Sequence, residues 1–332
     1  MKYTLGEHTL RGSRRINQDR IAFAERDNAV LMVLADGLGG HARGELASEL
    51  LTQTIIQQFT SIRQTLIEQP SAFLALSILH AHKMIKAMGE AHRPPINPRT
   101  TCVVCLVQNG YAYWAHVGDS RLYLFRNGEL VERTQDDTMI ERMRREGVLT
   151  EEEMLTHPDK SRLLKCVGGP KEPSVSLGQE TLLNPDDVIL LCTDGLWEAL
   201  PQETIIGYLR RGDLGDAVVD LLLAAESERG GSSDNISAIA LRWDDAISKE
   251  LPLQTENVPL VDQAGLERNA RQTLRHNERT ITQPKTAPPP PPPPAPRKNS
   301  KPQSLDDSVQ SLEQELQELE SYVGKIIPPK KK

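Results

Sequence analysis

Five aspartates stand at positions where a chain of this kind can do metal chemistry. Asp36 follows the apolar run Val30–Leu34 and is itself followed by Gly37, Leu38, Gly39, Gly40 and His41. Asp194 repeats the pattern, with Val188–Cys192 before it and Gly195-Leu196-Trp197 after it. Asp119 sits in Gly118-Asp119-Ser120-Arg121 between two strand-like runs, and Asp234 lies in Ser233-Asp234-Asn235-Ile236-Ser237 ahead of a last one. Asp19 closes Arg14-Arg15-Ile16-Asn17-Gln18-Asp19. A carboxylate at the end of a rigid strand is held in place, and neighbouring glycines let backbone or ligand come close to it. One Asp-Gly alone is an ordinary turn. Several together, if gathered in space, repel and cost several kcal/mol each to desolvate unless cations sit among them. Oxygen donors without a paired His/Cys set favour Mg²⁺ or Mn²⁺ over Zn²⁺. Two such ions about 3.5–4 Å apart activate a water for in-line attack on phosphorus. Arg14 and Arg15 offer planar forks that match phosphate oxygens.

The elements that must position these residues follow from periodicity. Val30–Leu34 reads as a buried strand ending at Asp36. Gly44–Phe59 is an amphipathic helix, with Leu46, Ala47, Leu50, Leu51, Thr54 and Ile55 on one face, and Ala72–Met88 is a second. Thr100–Val107, Tyr111–Val117 and Arg121–Phe125 read as three consecutive strands of an antiparallel meander, with turns at Asn109-Gly110 and Asn127-Gly128. Residues 134–180 are polar, with helical pieces at 136–145 and 150–155, and form an excursion of the kind that lies over a site. Leu214–Ala225 is another amphipathic helix, and a last strand runs through Leu241.

The folded domain is expected to span 1–247. Residues 248–303, with seven consecutive prolines from Pro288 to Pro294, read as a disordered linker. Leu305, Val309, Leu312, Leu316, Leu319 and Val323 follow a heptad seam in a helix over 304–327, suited to self-association or to a partner helix. Residues 328–332 form a basic tail.

A formal net charge of −7 argues against a nucleic-acid partner. Four cysteines, at 102, 105, 166 and 192, are few and suit a reducing compartment. Cys102 and Cys105 fall in one strand on opposite faces and read as buried structural thiols. Neither a signal-peptide core near the N-terminus nor a membrane-length apolar run is present in the sequence, so a cytoplasmic location is expected.

The five motifs R-x-x-N-Q-D (14–19), D-G-L-G-G-H (36–41), G-D-S-R (118–121), T-D-G-L-W-E (193–198) and S-D-N-I-S (233–237), in this order, closely resemble the metal-dependent type 2C (PPM) serine/threonine phosphatases, their bacterial branch above all. The resemblance covers residues 5–245. It implies an α+β fold, a four-layer α-β-β-α sandwich with two central antiparallel sheets. It implies hydrolysis of phosphoserine and phosphothreonine by metal-activated water at a binuclear Mn²⁺ or Mg²⁺ site, opposing a Ser/Thr kinase.

The same resemblance assigns roles. Asp36 would bridge two metals and the Gly37 carbonyl would bind one. Asp194 and Asp234 would complete the pair, with Asp119 on a looser third metal and Glu198 assisting. Arg14 would grip the substrate phosphate, Asp19 would act from behind the ligands, and Asn235 would order the Asp234 loop. Gln18 stands where the family usually has Glu, which lowers the charge of the site. Leu38 stands where many eukaryotic members have a histidine, and His41 is not assigned as the acid. His116 reads as a core residue or one behind the ligands. Two rivals remain at this stage, a catalytically weak phospho-binding scaffold on the same fold and a hydrolase of small phosphate esters.

Overall fold

The computed structural model describes residues 1–38, 43–150, 153, 157 and 162–245. His41, most of the expected helical piece at 150–155, and the expected linker, heptad helix and basic tail lie outside the described residues.

Two antiparallel sheets stack face to face. The first contains β2 (Asp19–Arg26), β3 (Ala29–Asp36), β4 (Cys102–Gln108), β5 (Tyr111–Val117) and β8 (Ser176–Leu177) in that spatial order, and β9 (Thr181–Leu182) also pairs with β5. The second has β1 (Tyr3–Leu10), β11 (Ile236–Trp243), β10 (Val188–Cys192), β6 (Arg121–Arg126) and β7 (Glu129–Arg133), again in spatial order. Helices α1 (Gly44–Ser61) and α2 (Pro70–Ala91) cover the first sheet; α5 (Gln202–Leu209) and α6 (Leu214–Arg229) cover the second. The short helices α3 (Met139–Arg145) and α4 (Asp194–Trp197) lie between strands in sequence.

The side-chain period of two explains the layering. Along β3, Leu31, Val33 and Ala35 pack against the helices, while Val30, Met32 and Leu34 pack against the other sheet. A strand buried on both faces must be apolar throughout, which is why Val30–Leu34 reads as a continuous run rather than an alternation. In β10, Leu190 and Cys192 face α5 and α6, and Ile189 and Leu191 face inward. Cys102 and Cys105 point to opposite faces of β4, and burial pushes both thiols well up.

The meander expectation needs correction. β4 and β5 form a hairpin whose Asn109-Gly110 turn has positive φ at both residues, as the sequence predicts. β6, however, leaves that sheet and pairs with β10 and β7 in the other. The hydrophobic pattern of a strand does not specify which neighbour it takes. The three residues between β5 and β6, Gly118-Asp119-Ser120, therefore cross from one sheet to the other at the end of the sandwich. The expected helical piece at 136–145 begins only at Met139, because Thr138 caps it by accepting the Glu141 N–H.

Candidate active site

Strand register brings the aspartates to one end of the sandwich. Asp19 opens β2 and Asp36 closes β3, and the two are directly opposed across the pair. Asp119 lies in the crossover between sheets, Asp194 opens α4 two residues past β10, and Asp234 stands two residues before β11. Asp36, Asp119, Asp194 and Asp234 line one cavity of about 310 Å³ with Arg14, Gln18, Gly37, Leu38, Leu163 and Asn235. A second hollow of about 230 Å³ shares Arg14, Asp194 and Asp234 with it and adds Gly195, Glu198, Arg229 and Ser232.

The backbone around Asp36 is fixed from the β4 side. Its N–H donates to Thr101 Oγ1 at 3.0 Å, and its carbonyl accepts from Thr101 N–H and from Thr100 Oγ1, both at 2.8 Å. Thr101 Oγ1 lies 2.7 Å from Ser120 Oγ, so one hydroxyl connects the Asp36 strand to the Asp119 turn. Gly37 packs against the start of α1. A Cβ there would meet the Gly44 carbonyl oxygen at 2.4 Å, so only glycine lets these backbones touch.

The segment 11–18 is stitched to the Asp234 loop. Asn235 Oδ1 accepts the Gln18 N–H at 2.8 Å, and its Nδ2 donates to the carbonyls of Arg11 and Ile16 at 2.8 and 3.1 Å. The Asn235 N–H donates to Asp234 Oδ1 at 2.8 Å. Gly12 has φ +60°, and a Cβ there would stand 2.0 Å from the Asp234 carbonyl oxygen. Asn235 thus orders more than its own loop, since it also holds the segment that carries Arg14.

Arg14 Nε and Nη2 both reach the Asp234 carboxylate at 2.7 Å, a bidentate ion pair. Asp19 Oδ2 accepts from Thr193 Oγ1 at 3.0 Å, and its buried Oδ1 meets no donor. Gln18 Nε2 donates to Glu45 of α1 at 3.3 Å. Glu198 is engaged by Arg229, whose Nη2 lies 3.2 Å from Oε2 and also donates to the Glu198 carbonyl. His116 Nε2 contacts the Gln135 carbonyl at 2.8 Å in the interior, away from the cavity wall.

Electrostatics set the chemistry. Burial, opposed by the hydrogen bond from Thr193 and the nearby Ser237 hydroxyl, pushes Asp19 up to about 6. Burial and the nearby Asp136 push Asp119 up to about 7. Asp36 and Asp194 are driven well above the ordinary carboxylate range, first by desolvation and then by the other aspartates around them. Like charges placed opposite one another across a strand pair destabilise it, so the Asp19–Asp36 register calls for either a proton or a cation.

The donor set fits hard divalent cations: oxygen ligands only, converging on one cavity, with an orphaned carboxylate oxygen behind them. Among the described residues, no three acidic, histidine or cysteine side chains are already drawn together tightly enough to hold a metal. Arg14 serves Asp234 as counter-ion.

The structure therefore gathers Asp36, Gly37, Asp119, Asp194, Asp234, Arg14, Gln18 and Asn235 around one cavity. Asp19 sits beneath them and Glu198 in the adjoining hollow. Sequence reasoning missed Thr101 and Thr193, which hold Asp36 and Asp19, and Leu163, which walls the cavity from the 134–180 excursion. The position of Thr193 next to Asp194 was a usable signal, but nothing local marks Leu163.

The protein phosphatase 2C family model matches residues 7–229. The chain belongs to that family. It is 31% identical over 234 residues to the serine/threonine protein phosphatase PstP of Mycobacterium tuberculosis, a match covering 69% of this chain and 43% of PstP, less than half of that relative. The fold superposes on the S. agalactiae serine/threonine phosphatase with a TM-score of 0.68 at 28% identity, covering 73% of this chain and all of that one. It also superposes on the PstP catalytic domain in complex with two manganese ions, with a TM-score of 0.63 at 28% identity, covering 73% of this chain and 99% of that one. These neighbours share the α+β architecture with two antiparallel sheets. Among the described residues no helix is long and apolar enough to cross a membrane.

Proposed function

We propose that this family member is a metal-dependent protein phosphatase that hydrolyses phosphoserine and phosphothreonine. The observation that carries the reading is the convergence of four aspartates and Arg14 on one cavity, with a fifth aspartate beneath it. A family relative holds two manganese ions, which supports Mn²⁺ or Mg²⁺ here. Asp36, the Gly37 carbonyl, Asp194 and Asp234 would hold the two tight ions, and Asp119 a looser third; Glu198 is the adjunct in the neighbouring hollow. When bound, the cations supply Lewis acidity toward water and phosphoryl oxygens.

The chain's own groups do the rest. Arg14 is 59% exposed at its side chain, so its fork is free to leave Asp234 for a substrate phosphate once cations take over the carboxylate. Asp19 offers its unpartnered Oδ1 as hydrogen-bond acceptor behind the ligands, with Thr193 fixing the other oxygen. Gln18 faces the cavity as a neutral amide. We further propose a cytoplasmic enzyme opposing a Ser/Thr kinase. Its heptad segment at 305–323 would pair with a second copy or a partner helix; light scattering on the full chain against one ending at residue 247 tests that pairing.

The deciding assay is Mn²⁺-dependent phosphate release from a phosphothreonine peptide panel, run beside sugar phosphates. Peptide turnover that chelator abolishes is the expected result. Turnover of sugar phosphates alone would make the chain a small-ester hydrolase, and metal-independent peptide binding without turnover would make it a scaffold.

A further inference from the structure

Asp137 makes more contacts than a residue at the edge of a polar excursion needs. Its carboxylate Oδ2 accepts the Gly118 N–H at 3.2 Å, and Oδ1 receives Lys165 Nζ at 2.7 Å and Ser176 Oγ at 3.4 Å. Lys165 Nζ in turn donates to Ser176 Oγ at 3.1 Å. The Asp137 backbone is used as well. Its N–H donates to the Gly118 carbonyl and its own carbonyl accepts the Leu164 N–H, both at 2.8 Å. The side chain is only 10% exposed, and Lys165 is 30% exposed.

These bonds join four separate stretches: the Gly118-Asp119-Ser120 crossover, the start of the excursion, its later segment at Leu163–Lys165, and β8 through Ser176. Two of those stretches supply cavity walls, Asp119 from the crossover and Leu163 from the later segment. Thr138, next to Asp137, bridges to Leu163 itself. Asp137 does not line the cavity. Its carboxylate holds the Gly118 N–H and Lys165, while its main-chain N–H and carbonyl bond the peptide groups just before Asp119 and just after Leu163. Charge-assisted bonds of this kind are the strong ones, and a partly buried lysine left without its carboxylate is costly.

We propose that Asp137, clamped by Lys165, is a positioning residue. It sets where Asp119 stands in the cavity and ties that position to the placement of Leu163. The inference rests on the phosphatase reading only in giving Asp119 a cation to hold. The geometry predicts that loosening the clamp weakens the looser ion at Asp119 and leaves the tight pair at Asp36, Asp194 and Asp234 intact.

The test uses the full chain with Asp137→Ala, Asp137→Asn and Lys165→Met. Amide hydrogen exchange is read residue by residue on the metal-free protein, and Mn²⁺ binding is followed by calorimetry. Loss of the charged acceptor should speed exchange at Gly118 by about ten-fold in Asp137→Ala, with Leu164, whose acceptor is the Asp137 main-chain carbonyl, moving less. Lys165→Met and Asp137→Asn should speed Gly118 exchange less, since the acceptor survives in both. The weak Mn²⁺ step should shift to several-fold higher concentration with the tight step unmoved. Unchanged exchange at the Gly118 amide in Asp137→Ala overturns the clamp. So does acceleration spread evenly over the domain, or a tight step lost together with the weak one. If wild type releases no phosphate with Mn²⁺, the phosphatase reading fails while the exchange data still decide the clamp.

Discussion

Asp36, Asp119 and Asp194 each pay a desolvation cost that neighbouring carboxylates increase, and this defines what a single substitution does. Asp36 is surrounded by Asp19, Asp119, Asp194 and Asp234, all of which raise its proton affinity. Asp36→Asn removes a charged oxygen donor from the centre of the set, and turnover should fall by orders of magnitude; undiminished turnover would remove Asp36 from the site. Arg14 differs, because it neutralises Asp234 rather than competing for a cation of its own. Arg14→Ala should raise KM for phosphopeptide and leave Mn²⁺ affinity intact or tighter, since Asp234 loses its counter-ion. Calorimetric titration checks this, and a large loss of Mn²⁺ binding would refute the phosphate role. Asp119 is reached from a different turn, so Asp119→Ala should keep the two tight ions and lose most turnover. A mutant that loses the tight pair instead would place Asp119 among the core ligands.

Strand ends, tight loops and the first residue of the short helix α4 carry the candidate site. The loop from Arg11 to Gln18 is held against the Asp234 loop by Asn235 and by the contact of Gly12 with the Asp234 carbonyl. Gly12→Ala adds a methyl at positive φ where backbone already stands. We expect a loss of more than about 1 kcal/mol in urea unfolding, with KM rising as Arg14 is displaced. A Gly12→Ala protein as stable as wild type would mean the loop moves aside without cost. The edge register of β2 on β3 has an equally direct consequence, since it alone sets Asp19 opposite Asp36.

Across the whole domain the aspartate cluster makes metal-free stability depend on pH. The folded-state values of Asp19 and Asp119, about 6 and about 7, lie above the ordinary 3.8. The native state therefore binds more protons than the unfolded state between about pH 4 and pH 7, and stability falls as pH rises through that window. The chelated protein should show a thermal midpoint that drops from pH 5 to pH 7.5. Mn²⁺ should raise the midpoint most at the upper end, because it binds the folded carboxylates by mass action. A midpoint of the chelated protein that is flat or rising over this range would contradict the raised values.

Much of this was legible in the chain itself. Continuous apolar runs at Val30–Leu34 and Val188–Cys192 mark strands buried on both faces, and the acid after each run is necessarily at a strand end. Asn109-Gly110 and Asn127-Gly128 are local turn chemistry, so their hairpins form as written. The amphipathic faces of α1, α2 and α6 likewise follow from period alone. Partner choice is not local. Only the tertiary structure decided that β6 crosses to the second sheet, because its hydrophobic pattern suits either one. That crossover puts Asp119 in the cavity with Asp36, which lies far earlier in the sequence. The roles of Thr101, Leu163 and Asp137 were hidden for the same reason. A hydroxyl, a leucine or a carboxylate takes its function from what the fold sets within about 3 Å of it, and that distance is a property of the packed sheets.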